Sequence, residues 1–132
     1  MIHPKMAEFK NRLKAMLDET DHFIEEKYGY FYRLHPARPK RGSTANPQAD
    51  GLFNLGADFT PGYGSRYGRG YIIDVRMATL EQVDEELRWK IMEEVVAKLK
   101  ELLPVYFPER ELEIFAEGSH FKIIGDFSLG YA

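Results

Sequence analysis

Apolar side chains recur along this chain with two different periods, and the alternation between those periods lays out the fold. Over residues 5–28, Met6, Phe9, Leu13, Met16, Leu17, Phe23, Ile24 and Tyr28 fall three and four positions apart, one stripe of a 3.6-residue helix. Pro4 suits its first turn and Gly29 its stop. The other face carries Lys10, Lys14, Asp18, Asp21 and Glu25, and this pattern assigns it to water, with no chemistry expected in the helix.

The period then changes. Tyr30–His35 is an optional short strand ended by Pro36. Residues 36–51, with three prolines and two glycines, read as a long loop, functional or disordered. Phe53, Leu55, Ala57 and Phe59 alternate with polar or small residues, as in a half-buried strand. Tyr71, Ile73, Val75 and Met77 repeat the pattern after the connector 61–70, so the two strands should form an antiparallel hairpin.

A second helix follows. Thr79 and Gln82 have capping-box spacing, Leu80, Val83, Leu87, Ile91, Val95 and Leu99 form the stripe with Leu102 or Leu103, and Pro104 is the expected stop. Leu112, Ile114 and Ala116, a turn at Glu117–His120, and Phe121, Ile123, Gly125 and Phe127 give a second hairpin. The expected fold class is α+β, one domain over residues 1–132. It is a two-layer sandwich, with an antiparallel sheet of four or five strands and two long helices on one face. The expected common core is Leu87, Ile91, Val95, Phe53, Phe59, Ile73 and Val75.

Composition narrows the function classes. The 132 residues contain no cysteine, so disulfides and thiolate chemistry are excluded. No apolar run reaches the roughly 18–20 residues that span a bilayer, and the expected location is cytoplasmic. The net charge of −3 is unevenly spread. Residues 30–70 hold six Lys or Arg against two Asp, a net +4, while the rest holds twelve against nineteen, a net −7. A basic stretch in an acidic chain is an anion-site candidate, and also a solvated loop whose cations meet acids of the helices.

Two segments carry that candidate. In 61–70, Gly62, Gly64, Gly68 and Gly70 can bring backbone close to a ligand, with Arg66 and Arg69 to clamp an anion and Tyr63 and Tyr67 to stack on a ring. No G-K-[ST] follows, so a Walker loop is excluded, and the plain alternative is a glycine-rich hairpin tip. In 33–42, Arg33, His35, Arg38, Lys40 and Arg41 sit on a proline-stiffened backbone, the cation display that single-stranded nucleic acid needs beside Tyr30 and Tyr32. The leading expectation is a phosphate-bearing ligand or nucleic acid bound where Arg33, His35, Arg38, Arg41, Tyr63, Arg66, Tyr67 and Arg69 converge.

Two other classes compete. Trp89 lies off the helix stripe and aromatics are many, which fits a self-association or scaffolding module and a homodimer. A small hydrolase or transferase would use Asp58, Asp74 and His35, with Asp126 also on a strand. His3, His22, His35 and His120 show no metal-ligand spacing, and no cofactor is implied.

Overall fold

The computed structural model describes residues 4–125 and has two helices and four strands. They are α1 (Pro4–Tyr28), β1 (Phe53–Thr60), β2 (Gly70–Met77), α2 (Glu85–Tyr106), β3 (Leu112–Glu117) and β4 (His120–Gly125), with one 3-10 turn at Pro47–Ala49. The sheet is antiparallel throughout, in the order β1-β2-β4-β3. Mixed α+β with an α-β-β-α-β-β order is the expected class, and the optional strand at 30–35 does not form. Phe127 and Asp126 lie outside the described residues.

Register fixes which face is buried. Phe53 pairs with Met77, Leu55 with Val75 and Ala57 with Ile73, so one set of alternate side chains points at the helices. Ile73 pairs with Phe121 and Ile114 with Ile123, which extends that face across the sheet. Above it, Phe9, Leu13, Met16, Leu17 and Ile24 of α1 and Ile91, Val95, Leu99 and Leu103 of α2 complete one buried core. α1 lies over β1 and α2 over β3, with the helices packed on each other. Gly118 turns the second hairpin with φ 62°, as the preferred two-residue turns require. No helix among the described residues is long and apolar enough to cross a membrane.

Four expectations need correction. Phe59 is 55% exposed and Val75 and Leu87 are half-buried; Phe59 lies at the β1 end, where its ring meets the Tyr71 edge. Thr79 does not cap α2, which starts at Glu85 after Asp84. The segment before it is tied elsewhere: Glu81 accepts from the Arg33 N–H at 2.5 Å, and the Asp84 N–H reaches the Tyr32 hydroxyl at 3.3 Å. Pro104 does not stop the helix but lies inside its last turn. Asp21 and Glu25, assigned to water, are both buried.

Candidate functional site

The buried acids have a cause in the loop. Residues 36–51 form an ordered strap against α1 and the start of β1, hung on two arginines. Arg38 donates to four carbonyls, those of Gln48 (2.8 Å), Gly51 (3.0 Å), Asp50 (3.1 Å) and Phe53 (3.2 Å). Arg41 points at α1, where it pairs with Asp21, and it also meets Asp50 at 3.1 Å and Glu25 at 3.7 Å. One guanidinium thus faces three carboxylates.

Two of the three, Asp21 and Asp50, are pushed in opposite directions. Burial pushes the Asp21 carboxyl up to about 7, against the pull of Arg41 and with the push of Glu25. Burial also pushes on Asp50, but bonds from the Thr44 N–H and hydroxyl, Arg41 and the Gly42 N–H hold it below the usual range. Glu25 accepts the Leu52 N–H on Oε1 at 2.7 Å. Its Oε2, Asp21 Oδ2 and Arg41 Nε are buried and have no hydrogen-bond partner among the described residues. Such atoms in one cluster ask for a partner.

A cleft of about 640 Å³ opens over this cluster, lined among others by His22, Glu25, Glu26, Tyr30, Lys40 and Arg41. Gly29 and Gly51 line it too. A Cβ on Gly51, whose φ is +74°, would strike Glu25 Oε1 and come within 2.8 Å of Arg41 Nε. A Cβ on Gly29 would strike the Glu25 backbone carbonyl oxygen first and come within 3.0 Å of Glu25 Cδ. Two glycines therefore leave the Glu25 carboxylate room at the cleft floor.

The basic residues singled out in the sequence do not converge. Residues 33–42 lie at the Phe53–Met77 end of the sheet, where the His35 N–H bonds Ala78 O at 2.8 Å. The 61–70 connector leaves from the opposite end, at Thr60–Gly70, about 25 Å away at roughly 3.3 Å per residue. A single site built from both loops is thereby corrected, because β1 stands between them. Arg38 and Arg41 are spent on carbonyls and acids. Arg33 is exposed, and the His35 ring accepts from the Ala37 N–H at 3.0 Å.

The connector is not a loose tip. It folds back over the outer sheet face, where buried Lys122 donates to Gly68 O at 2.6 Å and Ser65 Oγ at 3.1 Å and pairs with Glu117 at 3.0 Å. Tyr67 stacks on Phe115 at 4.9 Å and 11°, and Arg66 lies over the Tyr67 ring at 5.4 Å. The amides of Gly62, Ser65, Tyr67 and Gly68 bond Thr60, Gly62, Glu117 and Ser65, so these four are not free to cradle an anion. Tyr63 and Arg69 stand exposed.

Asp58, Asp74 and Arg76 line a shallow outer-face depression of about 290 Å³ that does not include His35. Arg76 and Asp74 pair there at 2.7 Å. Trp89 is 54% exposed and leans on Phe121 at 5.8 Å. No group of three or more His, Asp or Glu among the described residues is placed to hold a metal ion.

Asp21 and Glu25 were the residues that sequence reasoning missed as a site. One signal was present: Leu17, Asp21, Ile24, Glu25 and Tyr28 continue a single helix face at three- and four-residue steps.

Comparison with known proteins places this architecture in a family. A family model described as "Uncharacterised protein" matches residues 4–125. A relative from Borreliella burgdorferi, also described as an uncharacterized protein, is 42% identical over 123 residues, covering 93% of this chain and 96% of that protein. No solved structure matches.

Proposed function

The chain belongs to the family matched across residues 4–125, and from that premise we propose that it binds a small polar ligand in the cleft between α1 and the strap. One observation carries this reading: the buried Glu25 Oε2, which has no hydrogen-bond partner among the described residues, belongs to a residue that lines a cleft of about 640 Å³. A concavity with a few convergent polar groups and a perturbed carboxyl beneath is the usual form of a small-molecule site. The ligand supplies a donor to Glu25.

A second reading, a phosphate-bearing ligand or nucleic acid at the hairpin tip, is favoured by Arg66 and Arg69. Neither forms an ion pair among the described residues, and Arg66 rests on a Tyr67–Phe115 stack. It uses the tip alone, without Arg38 or Arg41.

A thermal-shift panel of amines, amino acids, sugar phosphates and nucleoside monophosphates separates the two. A compound at about 100 times its Kd adds about 2.7 kcal/mol. On the cleft reading that gain is lost in Glu25→Gln and kept when Arg66 and Arg69 are both replaced by Ala. The reverse pattern moves the site to the hairpin tip, and equal gains in all three proteins overturn both.

A further inference from the structure

Resting on the cleft reading above, we infer that the ligand group seated over Glu25 is a protonated amine. The charge around the floor points to it. Asp21, Glu25 and Asp50 surround Arg41, so three carboxyl groups face one guanidinium, while His22, Glu26 and Lys40, all exposed, line the cleft. Asp50 is satisfied inside the strap by the Gly42 and Thr44 amides, the Thr44 hydroxyl and Arg41. The Arg41 charge is offset more than once, while Glu25 Oε2 remains unclaimed on a residue nine-tenths buried.

An anion brought here would meet an acidic excess in a poorly solvated place. A neutral donor would satisfy Oε2 and leave the excess uncompensated. An ammonium brings both the charge and the N–H groups. The rest of the cleft agrees. Tyr30 and Tyr32 line it, and aromatic rings attract a cation within about 6 Å. Gly29 and Gly51 leave the approach to Glu25 free of Cβ atoms. Lys40 is exposed, so solvent and salt screen its repulsion.

Proton linkage follows from the same cluster. The groups facing Asp21 are Glu25 from α1, Arg41 from the strap and the Leu55 amide from β1, with Asp50 behind Arg41. Burial holds the Asp21 carboxyl up near 7. A cation favours its ionised form, so binding releases a proton and tightens as pH rises from 6 to 8. An alkylammonium, like Lys with its pKa of about 10.4, stays charged over that range.

The test uses the whole chain and four probes: n-butylammonium, 1,4-diammoniobutane, neutral n-butanol and inorganic phosphate. Calorimetry measures affinity at pH 6 and 8, and amide NMR shifts of Gly29, Gly51 and Leu52 locate the probe. The expected result is that the ammonium probes shift those amides and bind several-fold tighter at pH 8. Glu25→Gln should weaken them at least tenfold. Tyr30→Ala, at a residue 95% exposed and so without a folding role, should weaken them several-fold, and Lys40→Ala should not weaken them. If butanol or phosphate shifts the same amides and the ammonium probes do not, the amine inference is overturned and the cleft reading stands. Ammonium binding that Glu25→Gln leaves intact also overturns the inference. If no probe shifts those amides at tens of millimolar, both fall.

Discussion

The backbone N–H of Leu52 donates to Glu25 Oε1 at 2.7 Å, tying the residue before β1 to the last turns of α1 across 27 positions of sequence. That single bond occupies one carboxylate oxygen and leaves the other beneath the cleft. It also shows why a charged residue is tolerated there: the strap brings it an amide and a guanidinium.

The Asp21 carboxyl makes stability depend on pH. Its folded-state pKa, pushed up to about 7 by burial, lies above the unfolded value of 3.8. The folded state therefore binds the extra proton between those values, and this group's contribution falls as pH rises from about 4 to 7. Asp21→Asn removes that loss. In urea unfolding it should gain on the parent at pH 8 relative to pH 5. An offset equal at both pH values would contradict the assignment.

Lys122 should govern the hairpin tip. Removing its side chain in Lys122→Ala leaves Gly68 O, Ser65 and Glu117 without their shared donor. Glu117 is partly solvated, so the cost should be about 1–3 kcal/mol. Trypsin should cut after Arg66 and Arg69 much sooner than in the parent. Unchanged cleavage would mean that the Tyr67–Phe115 stack alone holds the connector.

Three positions on and before α2 should separate by burial. Ile91→Ala, in the fully buried core, should cost about 2–5 kcal/mol. Leu87→Ala should cost less, because Leu87 only packs against the edge of that core. Thr79→Ala should stay within about 0.5 kcal/mol, since the Thr79 hydroxyl accepts only the Glu81 N–H, outside the helix. A Thr79 cost of a full kcal/mol or more in chemical denaturation would restore it as a cap.

The element order and strand faces were legible because each strand repeats with period two, as Phe53, Leu55 and Ile73 do, and each helix with period 3.6. The start of α2 was not, because Glu81 and Asp84 are engaged by residues 32–33, contacts that no local spacing encodes. Pro104 misled because α2 runs on past it to Tyr106. The site was hidden for a related reason. An Asp on a helix reads as solvated until a distant Arg41 is folded onto it, and the cations of 30–70 read as free until their carbonyls and acids are known. Local sequence gave net charge, whereas the fold decides which charges are already answered.

The placement of the ligand is tested most directly by amide NMR with n-butylammonium added to the parent and to Glu25→Gln. The account predicts saturable shifts at Gly29, Gly51 and Leu52 in the parent, little change at Gly64 and Arg66, and loss of the cleft shifts in the variant. Shifts confined to Gly64 and Arg66, or cleft shifts that survive in Glu25→Gln, would contradict it.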